Sequence, residues 1–188
     1  MDDDDARPFA GAANATALLR GTLVHRLMQS LPDIPPDRRA KAAADYLLRA
    51  GRDLPPEERA QLVEQVMRVL EDARFHELYG AGSRAEVPIV GKLNLGGKIV
   101  RVSGQIDRLA ITKTSVLIAD FKTNRPAPRR IEDVPPVYVR QLALYRAVLA
   151  KLYPARDLRA ALIWTEGPDI MELSTEVLDA GLAGITPA

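Results

Sequence analysis

The apolar run Val116-Leu117-Ile118-Ala119 leads directly into Asp120-Phe121-Lys122-Thr123, where a carboxylate and an ammonium could act together. The run has the length and composition of a strand buried on both faces. Side chains in a strand repeat with period two, so Asp120 and Lys122 project from one face. Such a pair at the end of a buried strand is costly unless it is salt-bridged or put to use. The preceding stretch favours use. Between Lys98 and Ile111, Val100, Val102 and Ile106 alternate with Arg101, Ser103, Gln105 and Asp107, the pattern of a half-buried strand. Lys113-Thr114 supplies a turn, and the resulting hairpin brings Asp107 to the sheet end that carries Asp120. Gly96-Gly97 marks an earlier turn, so Arg84 to Leu95 is the first strand of a meander and contributes Glu86. Acids and a lysine on adjoining strands form a hard-oxygen site suited to Mg²⁺ or Mn²⁺. The lysine is placed to hold or polarise a water. This is chemistry for cutting a phosphodiester.

Several elements must hold these groups. Thr16 is a candidate N-cap for a helix reaching Ser30, with Leu23, Leu27 and Leu31 spaced for one face and Val24 and Met28 beside them. His25 lies next to that stripe, one turn after Gly21. A packed histidine is the plain alternative, but with the downstream acids it becomes a candidate metal ligand. Helices are expected from Asp37 to Ala50, stopped by Gly51, and from Pro55-Pro56, carrying Leu62, Val66, Val69 and Leu70 on one face. Phe75 to Ser83 reads as irregular, and His76 within it receives no chemistry. Asn124 to Pro136 reads as a loop leaving the same sheet edge, where Arg125, Arg129 and Arg130 are solvated surface or phosphate contacts. A helix from Val137 to Tyr153 puts Gln141 and Tyr145 one turn apart on one face. Leu158 to Thr165 and Ile170 to Ser174 are expected strands around the Gly167-Pro168 turn, and Glu176 to Leu182 a closing helix. Trp164 is expected to be packed. The order gives an α/β fold with a mixed central sheet flanked by helices and an N-terminal helical segment.

Gly104-Gln105-Ile106-Asp107-Arg108, Asp120-Phe121-Lys122-Thr123 and Gln141-Leu142-Ala143-Leu144-Tyr145, with Gly21-Thr22-Leu23-Val24-His25 and Asn124-Arg125-Pro126, resemble the PD-(D/E)XK nucleases of the RecB type. The pattern is most similar to the C-terminal nuclease domain of the AddA helicase–nuclease subunit. The resemblance spans Gly21 to Ile170, with the motifs in family order. No Pro-Asp pair precedes the triplet; the Asp of Gly-Gln-Ile-Asp takes that role, as is usual in the RecB branch. The resemblance implies a restriction-endonuclease-like core. It implies metal ligation by His25, Asp107, Asp120 and the backbone carbonyl of Phe121, with Glu86 assisting directly or through a water. Asp107, Asp120, Lys122 and Glu86 form the implied catalytic set, in which Lys122 orients or helps deprotonate the attacking water. Gln141 and Tyr145 become DNA-orienting groups. The implied activity is that of a Mg²⁺-dependent deoxyribonuclease, with Mn²⁺ able to substitute, acting as an exonuclease on DNA ends. Its partners would be DNA and a helicase motor of an AddAB/RecBCD-type double-strand-break repair machine. The rival readings are a free-standing phage- or CRISPR-type exonuclease and an inactive DNA-end-binding domain.

Composition narrows the classes further. At 188 residues the chain can bury a real core. The expected division is a boundary or disordered segment over 1–15 and a single nuclease domain over 16–188. That domain divides into a helical part at 16–80 and a sheet core at 84–188. Net charge is +1, or about +5 once the N-terminal Asp2 to Asp5 are set aside, a mild bias compatible with a polyanionic partner. Only 6 of the 26 basic residues are lysines, so Lys122 belongs to a scarce class. The absence of cysteine excludes disulfides and a cysteine-ligated iron–sulfur cluster. No membrane span, signal peptide or Walker motif is visible, which points to the cytoplasm and leaves any ATPase to another polypeptide region.

Overall fold

The computed structural model describes residues 7–124, 126–183 and 185, with side chains from Ala15 onward. Contacts divide the chain into two compact units that meet in sequence at Glu71 and Asp72. The first unit is helical: α1 (Arg7–Ser30), α2 (Pro36–Ala50) and α3 (Pro56–Glu71). Leu23, Val24, Leu27 and Met28 of α1 are buried, as are Leu62, Val66, Val69 and Leu70 of α3, the helical spacing expected for packing faces. Arg20 Nη1 reaches Glu58 Oε2 at 3.2 Å and ties α1 to the start of α3. Helix α1 begins at Arg7, before the Thr16 cap expected from sequence. The intervening residues are rich in alanine, the strongest helix former, and carry the helix backwards past Thr16.

The second unit contains β1 (Ser83–Leu95), β2 (Lys98–Ile111), β3 (Ser115–Lys122), α4 (Pro136–Leu152), β4 (Asp157–Trp164), β5 (Asp169–Leu173) and α5 (Thr175–Ala183). The five strands form one mixed sheet in the order β1-β2-β3-β4-β5. The first three form the expected meander, and β4 and β5 are also antiparallel. Strands β3 and β4 are parallel, so α4 is the crossover between them. Gly96 and Gly97, with φ of 58° and 83°, make the β1–β2 turn in a conformation that suits residues lacking Cβ. Thr112 and Ser115 close the β2–β3 turn, the Thr112 N–H donating to the Ser115 carbonyl at 2.9 Å.

Strand β3 is buried from Val116 through Phe121 and β4 from Ala160 through Trp164, as expected for a parallel pair in the middle of a sheet. Helix α4 packs Leu142, Ala143, Tyr145, Val148 and Leu149 into the same apolar cluster as Ile89, Val102, Ile118, Leu162 and Trp164. Helix α5 joins this layer through Leu178. The segment expected to be irregular before β1 contains a short 3-10 helix, Ala73–Tyr79, anchored by buried Phe75 and Leu78. No helix among the described residues is long and apolar enough to cross a membrane.

Candidate active site at the ends of β2 and β3

The last two turns of the β3 pleat set the site. Asp120 is 4% exposed, and its Oδ2 lies 2.5 Å from Lys122 Nζ. The two side chains share one face, as the period-two reading requires. That buried oxygen receives no well-directed hydrogen bond, so its contact with Lys122 is an ion pair and acceptor capacity remains. The ladder between β2 and β3 ends at Arg108↔Ala119. Beyond it, the carboxylate of Asp107 takes over from the backbone: Asp107 Oδ2 accepts the Phe121 N–H at 2.8 Å. Asp107, Asp120 and Lys122 are thus brought to one sheet end by the hairpin. On the other side of β3, the Lys122 carbonyl accepts the Thr165 N–H at 3.0 Å, which fixes the strand end against β4.

Glu86 stands across from Asp107, at the one step missing from the β1–β2 register between Ala85↔Arg108 and Val87↔Ile106. Its φ of 54° is a left-handed conformation that a glutamate adopts only at a cost. Around this step the alternation shifts by one residue, since Ile106 and Leu109, three apart on β2, belong to the same apolar cluster. The Glu86 side chain is held by Gln105, whose Nε2 donates to Glu86 Oε2 at 2.5 Å. Among the described residues, no group of three or more His, Cys, Asp or Glu is arranged to hold a metal ion. The chemistry of the donor set nevertheless fits a hard divalent cation through the two carboxylates of Asp107 and Asp120, with a buried Asp120 oxygen available. His25 lies half-buried on α1, in the first unit.

The remaining candidates separate by burial. Tyr145 is 7% exposed, and its hydroxyl sits where a Cβ at Gly104 would be, with Gln141 Nε2 3.4 Å away. The glycine of Gly-Gln-Ile-Asp therefore makes room for α4. Arg130 is exposed and bound to Asp133 at 3.0 Å and 3.1 Å. Arg129 is exposed and makes no ion pair among the described residues. Arg125 lies outside the described residues.

One residue of the site was not anticipated from sequence. Tyr138, in the first turn of α4, places its ring 4.0 Å from Lys122 Nζ and donates its hydroxyl to Asn124 Oδ1 at 3.1 Å. Its signal was its place one turn before Gln141, two turns before Tyr145. That spacing puts it on the same side of a helix already expected to meet the sheet end.

The PD-(D/E)XK nuclease superfamily matches the chain over residues 5–177. No curated protein matches it. Among solved structures, a crystal structure from Eubacterium rectale named "Putative exonuclease" aligns with 18% identity and a TM-score of 0.54, covering 89% of this chain and 62% of that one. The chain thus spans about three-fifths of the length of that protein, and the likeness concerns the fold. Another structure, SSO0001, aligns with 15% identity and a TM-score of 0.34 over 89% of this chain and 83% of that one.

Proposed function

From the membership of this chain in the PD-(D/E)XK nuclease superfamily, which matches it over residues 5–177, we propose that it is a Mg²⁺-dependent deoxyribonuclease acting as an exonuclease on DNA ends. Proteins of this superfamily are nucleases that generally use divalent metal ions. The observation that supports the reading here is the convergence of Asp107 and Asp120 beside Lys122, with the Asp107 carboxylate bonded to the Phe121 N–H at 2.8 Å and Lys122 paired to Asp120 at 2.5 Å.

Asp107, Asp120 and the Phe121 carbonyl would hold the divalent ion, with Glu86 completing the set. Bound there, the ion supplies Lewis acidity and a nucleophile at neutral pH. The chain's own residues do the rest. The Phe121 N–H holds the Asp107 carboxylate, so that oxygen need not be ordered during the reaction. Lys122 brings its ammonium next to the acids, where it orients the attacking water and offsets charge developing on the phosphate. Gln105 restrains Glu86 one strand away. Tyr145 fills the space where a Gly104 side chain would stand and sets the distance of α4 from β2, with Gln141 beside its hydroxyl. Arg125, Arg129 and Arg130 would contact phosphates of the incoming strand, and a helicase motor of the AddAB type would deliver it.

Cleavage of labelled linear single- and double-stranded DNA, compared with a covalently closed circle in the presence of Mg²⁺, tests the reading. Nucleotides released from linear substrates and an intact circle are expected. Linearisation of the circle would contradict the exonuclease assignment, and no cleavage of any substrate would contradict the nuclease assignment.

A further inference from the structure

Lys122 is the last residue of β3, on a side chain with four rotatable carbons, yet it is only 15% exposed. Two surfaces confine its ammonium: Asp120 Oδ2 at 2.5 Å, and the face of the Tyr138 ring at 4.0 Å from the centroid. The ring is itself fixed from three directions. Its hydroxyl donates to Asn124 Oδ1 at 3.1 Å, only two residues after Lys122. The ring is tilted at 51° against Trp164, with centroids 6.4 Å apart, and Trp164 is fully buried and pairs with Lys122 in the β3–β4 register. The Tyr138 N–H donates to the Pro135 carbonyl at 2.9 Å, in a helix start whose path is set by Pro135 and Pro136. Strand, loop and helix therefore converge on the aromatic face that covers the lysine.

We propose that Tyr138 is a positioning residue for Lys122, holding the ammonium at the strand end through its ring face. The inference rests on the nuclease reading in one respect: a cation drawing on Asp120 competes with Lys122 for the same carboxylate. The aromatic face is then the partner that keeps the ammonium in place, because a ring quadrupole attracts a cation without using a carboxylate. The hydroxyl serves only to orient the ring.

The test compares Tyr138→Leu and Tyr138→Phe in the full chain. Tyr138→Leu is expected to lower kcat about tenfold while leaving the KM for linear DNA and the Mg²⁺ midpoint unchanged. Tyr138→Phe should recover most of that loss. A second readout needs neither metal nor substrate. In the wild-type chain the Lys122 Cε protons should be displaced upfield by the ring current in NMR spectra. The displacement should persist in Tyr138→Phe and vanish in Tyr138→Leu. The wild-type signal decides the geometry even if the leucine variant fails to fold. A leucine variant as active as wild type, a phenylalanine variant as impaired as the leucine one, or Lys122 protons at ordinary positions would each overturn the proposal. If the wild-type chain cuts no DNA, the nuclease reading fails, whereas the NMR result still decides whether Tyr138 holds the lysine.

Discussion

Gly104 shows how tightly single residues are specified around the site. A Cβ there would overlap the Tyr145 hydroxyl and lie 2.8 Å from Cζ and 3.0 Å from Cε1. Gly104→Ala should therefore destabilise the fold by about 1–3 kcal/mol, the usual cost of overpacking a filled site. Tyr145→Phe in the same chain should recover part of that loss, because it removes the atom that clashes most. Unfolding midpoints of the four chains in a double-mutant cycle check this, and strictly additive losses would contradict the contact. In the proposed mechanism the charged residues divide by role. Asp107→Ala and Asp120→Ala should weaken metal binding as well as turnover. Lys122→Ala should leave metal binding largely intact while cutting turnover by about a hundredfold or more, the scale of a positioned acid–base or electrostatic group. Calorimetric titration of the three variants with Mg²⁺ separates the roles, and equal metal loss in all three would remove the one given to Lys122. The Asp120–Lys122 pair was legible because a two-residue spacing in a strand admits one geometry. Tyr138 was not singled out because an aromatic near a helix start has many ordinary uses.

At the scale of elements, the meander and the helix that follows it could be read directly from turn residues and apolar runs, but not the parallel β3–β4 pairing that makes this helix a crossover. Gly96-Gly97 and the β3 run allowed few alternatives. The disturbance at Glu86 could not be read, because nothing in a glutamate's identity signals a φ of 54°. The beginning of α1 was misplaced for a related reason: the hydroxyl at Thr16 looks like a cap, but a run of alanines outweighs it. The far edge of the sheet is clasped by Arg159 of β4. It binds Glu172 of β5 at 2.7 Å and Glu77, in the 3-10 segment, at 2.9 Å. The hydrogen-bonded Arg159 guanidinium holds the Glu172 carboxyl below its ordinary value. A depressed folded-state value means that the stabilisation is complete above the unfolded-state value and is lost as pH falls through the folded-state one. Glu172→Gln should therefore lower the unfolding free energy at neutral pH, by less than about 1 kcal/mol because both partners remain partly solvated. The deficit should close in acid as wild-type Glu172 protonates. A deficit of constant size down to strongly acidic pH would show that the charge on Glu172 is not its source.

For the whole molecule, charge and composition bear on how DNA is met. Net charge is +1 and aromatics are 5% of residues, and of the arginines near the active edge Arg130 is already bound to Asp133. Few phosphate contacts and little stacking surface should give weak DNA binding by the chain alone, with a shallow dependence on salt. Replacing Arg129 and Arg130 together should weaken binding across sequences and flatten the slope further without changing metal affinity. A binding series over several salt concentrations reads both quantities. Tight, sequence-selective binding would contradict the proposal that a tethered motor supplies the local DNA concentration. The two-unit division leaves the sheet unit with Asp107, Asp120, Lys122 and Glu86 together, and the helical unit with His25. In the proposed mechanism, cleavage depends on a divalent ion held by the Asp107 and Asp120 carboxylates. The most direct measurement is the rate of cleavage of end-labelled linear DNA as Mg²⁺ is titrated in and then removed with excess chelator, for wild type and Asp120→Ala. The wild-type chain should cut only while the ion is present, and Asp120→Ala should not cut at the Mg²⁺ concentration that saturates wild type. Undiminished cleavage in excess chelator, or a fully active Asp120→Ala chain, would contradict the account.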